Sequence, residues 1–245
     1  MRLSVELVPK SAEELASHAL IVRSTLAAAT AINIPDLTRF ELRSWDACQV
    51  TSRIIPASIP HLRAIDFAPG EAEAVAERLL RAGLGEVLVV RGDPPHDLRR
   101  RTYPNTSEDV IHRLKSRFPE LVVYAAYDPY RAGFREELEG VKRKAEAGAD
   151  GFFTQPIFDL NLLRICADIL HGFNVFWGIA PVLGEKARAY WEVTNKVVFP
   201  REFEATLAWN TAFARQAMDL VRQAGGNVYL MPIRVDLKKY LAELT

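Results

Sequence analysis

The chain has 245 residues, of which 49% are hydrophobic and 25% are charged, a composition typical of a globular protein with a sizeable core. Its 31 basic and 31 acidic residues give a formal net charge of zero, so we expect neither nucleic acid nor an anionic membrane as a partner. The most apolar stretch, residues 15–34, is interrupted by His18 and Arg23 and is too broken to cross a bilayer.

The cysteines and histidines show no metal-binding pattern. Cys48 and Cys166 lie far apart and have no CxxC or Cys/His spacing, and the five histidines are scattered without a zinc-binding grouping. We therefore expect reduced thiols, a cytoplasmic location and no metal site. The N-terminus runs into a strand-like segment without a charged-then-apolar leader, which agrees with that location.

Strands and helices alternate along the chain. The first predicted strand, residues 3–8, ends at Pro9, and residues 11–14 form a capping box that begins a helix. The other strands are predicted over residues 31–34, 57–64, 87–91, 121–126, 151–154, 175–179 and 228–231. Further helices are predicted over residues 45–54, 71–82, 107–118, 134–147, 160–170, 185–193, 206–223 and 237–244.

Eight strands that alternate with helices, without a linker or a composition break, predict a single (β/α)8 TIM barrel domain over residues 1–245. A doubly wound open sheet is the alternative architecture. It is less well supported because no GxGxxG motif follows the first strand.

The segment EVLVVRGDPP, residues 86–95, combines a strand with ionisable residues. Its unbroken Val-Leu-Val-Val run is typical of a parallel strand buried on both faces, and Arg91, Gly92 and Asp93 follow at once. The carboxyl ends of such strands are where α/β enzymes place their chemistry, and Gly92 lets a ligand approach the backbone. The simpler alternative is a loop ion pair followed by a proline stop. A basic triplet, residues 99–101, is typical of a solvated loop but could also lie near a phosphate.

Polar residues stand at nearly every predicted strand end, and a barrel brings these ends to one face. The sequence therefore predicts one polar pocket. Its expected members are Glu6, Asp36, His61, Arg63, Arg91, Asp93, Tyr127, Arg131, Gln155 and Arg234.

Two carboxylic acids in this set are expected to behave differently. Glu6 lies between Val5 and Leu7, so desolvation should keep it protonated near neutral pH and make it a general acid. Asp93, paired with Arg91 beyond a strand end, should stay ionised and stabilise a developing positive charge. Together they predict a reaction with a cationic intermediate.

Six motifs follow one another along the chain: VELVPK at residues 5–10, HLRAIDF at 61–67, VLVVRGDPP at 87–95, VYAAYDPYR at 123–131, VKRKAEAGADGFFTQPIFD at 141–159 and GIAPV at 178–182. In this order they resemble the methylenetetrahydrofolate reductase family. The resemblance implies a (β/α)8 barrel that holds flavin adenine dinucleotide (FAD). It also implies that NADH or NADPH reduces the flavin, which then passes a hydride to methylenetetrahydrofolate by ping-pong exchange.

The resemblance further implies roles for single residues. Glu6 takes the position of the general acid that protonates N10 of the folate, and Asp93 that of an aspartate near flavin and pterin. Gln155 takes the position of a glutamine that contacts folate and nicotinamide, and Arg234 that of a folate-contacting arginine. The implied flavin-binding residues are His61, Arg91, Gly92, Asp93, Tyr127, Arg131, Glu137, Arg143 and Lys144, with Lys144 as the phosphate partner.

Several positions depart from the family pattern. Residues 33–36, NIPD, replace a Thr- and Gly-rich turn that touches the cofactor. Arg131 and Glu137 stand where histidine and aspartate are common, Gly140 replaces a polar cofactor contact, and Glu185 stands where a phenylalanine stacks on the substrate.

Three hypotheses follow from the resemblance and its departures. The first is a flavin-dependent methylenetetrahydrofolate reductase. The second is a flavin-free relative, in which the nicotinamide donates its hydride directly to the pterin. The third is a non-catalytic pterin or flavin binder, working as a subunit beside a partner. A homo-oligomer is compatible with all three.

Overall fold

Eight parallel strands, each paired with its neighbour in sequence order, close into a barrel in the computed structural model, which describes residues 1–94 and 101–245. The strands are β1 (Leu3–Glu6), β2 (Ala31–Ile34), β3 (Ala57–Arg63), β4 (Glu86–Val90), β5 (Val122–Tyr127), β6 (Gly151–Pro156), β7 (Val175–Ile179) and β8 (Asn227–Leu230). The predicted (β/α)8 barrel is confirmed. Pro95 of the RGDPP motif and Arg99 and Arg100 of the basic triplet lie outside the described residues.

Helices surround the strands and complete the repeating unit. They are α1 (Ala12–Thr25), α2 (Ser44–Thr51), α3 (Glu71–Arg81), α4 (Ser107–Arg117), α5 (Phe134–Glu146), α6 (Leu160–Ile169), α7 (Glu185–Thr194), α8 (Leu207–Gln223) and α9 (Leu237–Ala242). Ser11 caps α1 as predicted, because its hydroxyl accepts a hydrogen bond from the Glu14 amide at 3.1 Å, whereas the Glu14 carboxylate of the predicted capping box accepts from Lys10. Among the helices of the described residues, none is both long and apolar enough to span a bilayer.

The strands separate two apolar layers. On the outer side, Val87 and Val89 of β4 are fully buried in the core that the strands share with the helices, as their unbroken apolar run predicts. On the inner side, Phe153 and Phe176 stack with ring centroids 4.2 Å apart, and Tyr229 meets Phe153 edge-on at 5.1 Å. The lumen is therefore filled with side chains, so a ligand has room only at the ends of the barrel.

An ion pair occupies the end of the barrel where the strands begin. Arg2 donates two hydrogen bonds of 2.8 Å to the two carboxylate oxygens of Glu86, and the Tyr124 hydroxyl donates to Glu86 at 2.9 Å. The hydrogen-bonding groups of these three side chains therefore pair with one another. The polar side chains that can serve a ligand lie at the opposite end, where the strands finish.

Candidate active site

Glu6 ends β1, and its side chain lies on the same strand face as Ser4 because side chains alternate with a period of two. Tyr229 of β8 is buried inside the barrel, and its hydroxyl donates a hydrogen bond to Oε2 of Glu6. Burial raises the pKa of Glu6 to about 7, against the opposing effect of the Tyr229 hydrogen bond. Glu6 is thus protonated in part of its population at neutral pH, as a general acid requires.

A groove opens from Glu6, and we call it the acid groove. It has a volume of about 450 Å³ and is lined by Glu6, by residues of α1, by Arg39 and Phe40 after β2, and by residues 232–238 after β8. A second cavity, of about 350 Å³, lies between α3 and α4. That cavity contains none of the residues predicted for the site, so the acid groove is the better candidate.

Four lysine and arginine side chains line the acid groove, and among the described residues one of them has a carboxylate partner. Lys10 pairs with Glu14 at 2.7 Å. Arg39, Arg234 and Lys238 also line the groove, and in the described part of the chain none of these three makes an ion pair. Three free positive charges beside a protonated acid favour an anionic ligand.

Arg234 rests against an aromatic ring. Its guanidinium carbon lies 5.6 Å from the ring centroid of Tyr190 on α7, and Tyr190 is 48% exposed. The backbone of Arg234 adopts a left-handed conformation, with φ of 57°. Glu185, which stands where a stacking phenylalanine was expected, begins α7 and is exposed. Tyr190 is therefore an exposed ring beside a cation of the groove.

A buried polar chain crosses β1, β2 and β3 beside Glu6. The Ser4 hydroxyl donates to Oδ1 of Asn33, and Nδ2 of Asn33 lies 3.2 Å from Nε2 of His61. Because the Asn33 amide must donate with Nδ2, Nε2 of His61 is the acceptor and its ring proton is on Nδ1. Burial lowers the pKa of His61 to about 3, so the imidazole is neutral and offers one N–H at Nδ1.

The RGD segment after β4 has a backbone that only glycine accepts readily. Gly92 has φ of +86°, and a Cβ there would lie 3.1 Å from both Cζ of Arg63 and Cγ1 of Ile65. Arg63 donates to the Asp93 carbonyl at 2.7 Å. Within the described ranges no ion pair joins Arg91 to Asp93, and both residues are exposed. The loop is thus held through its backbone, and both side chains remain available.

Asp36, also predicted at the mouth, has both carboxylate oxygens hydrogen-bonded within the protein. It accepts hydrogen bonds from the Ser44 amide at 3.2 Å and from the Arg43 guanidinium. Arg43 lies 3.6 Å from Asp66, and Arg63 contacts Asp66 at 3.0 Å. These residues form a charged network that supports the loops after β2 and β3.

Most of the residues predicted around β5 and α5 already have partners within the protein. Arg131 donates to both carboxylate oxygens of Glu137, at 2.9 and 2.8 Å. The buried Lys144 ammonium donates to the Ala126 carbonyl at 2.7 Å, and burial lowers its pKa. Arg143 is exposed and lies 4.0 Å from Glu108.

Tyr127 lies apart from the other predicted site residues. It is fully buried in the core shared by strands and helices, and its hydroxyl donates to Sγ of Cys166 at 3.7 Å. Its position at the end of β5 faces the outer layer, because alternate residues of a strand point to opposite faces.

Gln155 lies in an irregular part of β6. Phe153 pairs with Phe176 and Pro156 with Gly178, so β6 has one residue more than β7 over this interval, which is a β-bulge. The Thr154 hydroxyl accepts a hydrogen bond of 2.8 Å from the Gly178 amide. Gln155 is half-buried, and its side-chain amide has no hydrogen-bond partner in the parts of the chain that the structure describes. The bulge thus presents a free amide at the mouth.

Ser4, Asn33 and Tyr229 were not predicted as site residues. A sequence signal existed for the first two, since each is a polar residue inside a strand, and Ser4 has the same parity as Glu6. No local signal identifies Tyr229, because a tyrosine in a strand is ordinarily a packing residue.

The family model for methylenetetrahydrofolate reductase matches residues 25–230. The chain belongs to the methylenetetrahydrofolate reductase family. Among curated relatives, it is 28% identical over 142 residues to 5,10-methylenetetrahydrofolate reductase of Escherichia coli strain K12, covering 56% of this chain and 48% of that protein. It is 30% identical over 145 residues to the enzyme of the same name from Salmonella typhimurium strain LT2, covering the same shares, 56% and 48%.

Solved structures show the same fold. An uncharacterized protein from Clostridium thermocellum that binds two copies of 5-methyl-5,6,7,8-tetrahydrofolic acid superposes with a TM-score of 0.67 at 15% identity, covering 99% of this chain and 93% of that chain. Oxaloacetate acetylhydrolase superposes with a TM-score of 0.59 at 9% identity, covering 95% and 75%. The chain spans about half the length of the bacterial methylenetetrahydrofolate reductases that it matches, 48%.

The family resemblance implies FAD, and the structure allows its two ends to be tested separately. At the ring end the residues fit, because His61 offers a neutral N–H, Gly92 has no Cβ, and Arg91 is exposed. At the phosphate end, Lys144 already donates to a carbonyl and Arg131 to a buried carboxylate. A flavin ring therefore finds free donors, whereas a diphosphate at Lys144 and Arg131 would have to compete with their internal partners.

Proposed function

We propose that this chain reduces 5,10-methylenetetrahydrofolate to 5-methyltetrahydrofolate, with NADH or NADPH as the hydride donor and FAD as the carrier between them. The observation that carries the proposal is Glu6, a half-buried acid whose pKa is raised to about 7. It opens into a groove lined by three cations that make no ion pair among the described residues. Family membership supports the reaction class. The tetrahydrofolate bound by the Clostridium thermocellum protein of the same fold supports the ligand class.

The acid groove suits the anionic end of a folate. A folate carries the carboxylates of its glutamate, and Arg39, Arg234 and Lys238 line the groove that begins at Glu6. Opposite charges favour this placement and increase the rate of association. With the carboxylates held by these cations, the ring system extends toward the mouth of the barrel.

Glu6 supplies the proton for the first step. It passes its proton to N10 of the bridging imidazolidine ring, and the bond between N10 and the methylene carbon breaks with its electron pair going to N10. The product is a 5-iminium cation, which accepts a hydride at that carbon to become the methyl group. Glu6 is left as a carboxylate and regains a proton from solvent, which reaches it through the groove.

Other residues of the mouth would bind and orient. The exposed Asp93 carboxylate follows β4 and would stabilise the iminium charge. The free amide of Gln155 would contact pterin and nicotinamide in turn. His61 and Arg91 would hold the flavin ring, with the RGD backbone close by at Gly92. When bound, a flavin supplies a carrier that accepts a hydride from the nicotinamide and releases it to the folate.

A flavin-free reductase is a second candidate, and the contacts of α5 favour it. Lys144 and Arg131 are engaged internally, and Tyr127 is sealed against Cys166, so three of the predicted cofactor residues are committed elsewhere. In such an enzyme the nicotinamide would lie against the pterin, and its hydride would pass directly to the iminium carbon.

The absorption spectrum of the purified protein, followed by anaerobic mixing, tests these candidates. A yellow protein that NADPH or NADH bleaches and methylenetetrahydrofolate recolours supports the flavin enzyme. Turnover without flavin absorbance, with ternary-complex kinetics, supports the flavin-free enzyme. Tight folate binding without turnover by either route would refute both and leave a binding subunit. The Glu6→Gln variant should lose folate reduction in either enzyme, and in the flavin enzyme it should keep flavin reduction by the nicotinamide.

A further inference from the structure

Tyr229 holds one oxygen of the Glu6 carboxyl. In the pairing of β1 with β8, Tyr229 lies opposite Ser4, so Glu6 stands two residues farther along the neighbouring strand on the same face. From there the Tyr229 hydroxyl reaches Oε2 of Glu6 and donates to it. The other oxygen, Oε1, has no hydrogen-bond partner among the described residues and is not a sealed buried atom.

The ring of Tyr229 has little freedom to move. It is 3% exposed, and its ring centroid lies 5.1 Å from that of Phe153, at an interplanar angle of 84°. Burial raises the pKa of the Tyr229 hydroxyl well above its usual value of 10, so this group remains a donor over the working pH range.

We propose that Tyr229 is a positioning residue that occupies Oε2 of Glu6 and thereby places the transferable proton on Oε1, which is open to the acid groove. The reasoning is geometric. A neutral carboxyl has one proton, and an oxygen that already accepts from a fixed hydroxyl is the poorer place for it. This inference rests on the proposed role of Glu6 as general acid.

The same contact affects the pH at which Glu6 releases its proton. A donor to the carboxylate stabilises the ionised form and opposes the effect of burial. The other titratable groups facing the groove are Lys10, Glu14, His18, Arg39, Arg234, Asp236 and Lys238. None of them pairs with Glu6 in the described ranges, and His61, two strands away, is neutral. Among the described residues, the Tyr229 hydroxyl is therefore the polar group that contacts this acid directly.

The test is Tyr229→Phe, which removes the hydroxyl and keeps the ring. The matched control is Tyr124→Phe, which removes the other inward-facing tyrosine hydroxyl, at the Arg2–Glu86 end of the barrel. The rate of the folate half-reaction is measured from pH 5 to pH 9. We expect Tyr229→Phe to slow the reaction about 10-fold at pH 6 and to move the midpoint of the alkaline limb upward by about one pH unit. The control should show the wild-type midpoint.

Titration of Glu6 by carbon-13 NMR, with Glu6→Gln used to assign its signal, gives a second readout that needs no turnover. An upward midpoint in Tyr229→Phe supports the proposal. An unchanged midpoint, or a lower melting temperature without a change in the pH profile, would overturn it and leave Tyr229 as a packing residue. If wild-type protein shows no folate reduction, the proposed function fails. The NMR titration then still decides whether Tyr229 controls the Glu6 proton.

Discussion

The Glu6→Gln substitution should make the stability of this protein less dependent on pH. In the folded protein the pKa of Glu6 is raised from 4.5 to about 7, mainly by burial. The folded state therefore favours the protonated acid. The stability associated with that proton is fully present below the unfolded pKa and is lost as the pH rises through about 7. Glutamine does not titrate, so it escapes this loss.

The size of the effect follows from the two pKa values. A rise from 4.5 to about 7 corresponds to about 3 kcal/mol as an upper limit. Solvent that enters through the groove screens part of it, since Glu6 is only half-buried, which leaves about 1–2 kcal/mol. We expect Glu6→Gln to gain this amount of unfolding free energy, relative to wild type, between pH 5 and pH 9.

Urea denaturation at pH 5, 7 and 9 measures this difference. The matched control is Glu14→Gln, which changes an acid on the same groove whose pKa is lowered by the hydrogen bond from Lys10. The control should show no gain toward high pH. If the difference between Glu6→Gln and wild type is the same at pH 5 and pH 9, the raised pKa of Glu6 is refuted. The proposal that Glu6 is a general acid near neutral pH would then lose its physical basis.

Three further predictions concern the mouth of the barrel. Gly92→Ala should lower the unfolding free energy by about 1–2 kcal/mol because of its left-handed backbone, whereas Gly133→Ala, with φ of −64° and open space at its Cβ, should change little in the same urea titration. Arg39→Ala should weaken folate binding about 3- to 5-fold without lowering kcat. Arg53 is an exposed cation in the loop before β3, and the control variant Arg53→Ala should bind folate as wild type does. Equal dissociation constants for both variants would contradict the placement of folate in the acid groove. His61 should show an unprotonated Nε2 by nitrogen-15 NMR from pH 8 down to pH 5, and a midpoint near 6.5 would refute its burial as a neutral ring. Because the pKa of His61 is lowered to about 3, the stability gained from the neutral ring is lost as the pH falls below about 6.5.

Local patterns were sufficient for the elements of this fold. The predicted bounds of β2 and β7 agree with the structure residue for residue, because short apolar runs that end at a proline or a polar turn leave little freedom in placing a buried strand. β6 is longer than predicted. It extends to Pro156, since the bulge after Phe153 lets Gln155 and Pro156 remain in the sheet, and pairing across strands is not visible in one strand's own sequence.

The identity of the acid was also available locally. A glutamate inside an apolar strand must be desolvated wherever that strand packs, so Glu6 could be predicted as a perturbed carboxyl before its neighbours were known. The local sequence did not predict the orientation of Tyr127. At the end of β5 it was predicted to face the mouth, and its orientation toward Cys166 depends on the parity of the strand within the closed barrel.

The sequence by itself determined the alternation of strands and helices, the barrel that follows from it, and the types of ionisable residue at the strand ends, because each depends on spacing and composition within a short segment. Only the tertiary structure decided that Tyr229 meets Glu6 and that Asn33 sets the tautomer of His61. It likewise decided that Lys144 of α5 and Arg131 of the preceding loop are engaged internally. Closure of the barrel brings residues 223 positions apart into contact, and the register between strands, which selects such partners, is a property of the assembled sheet.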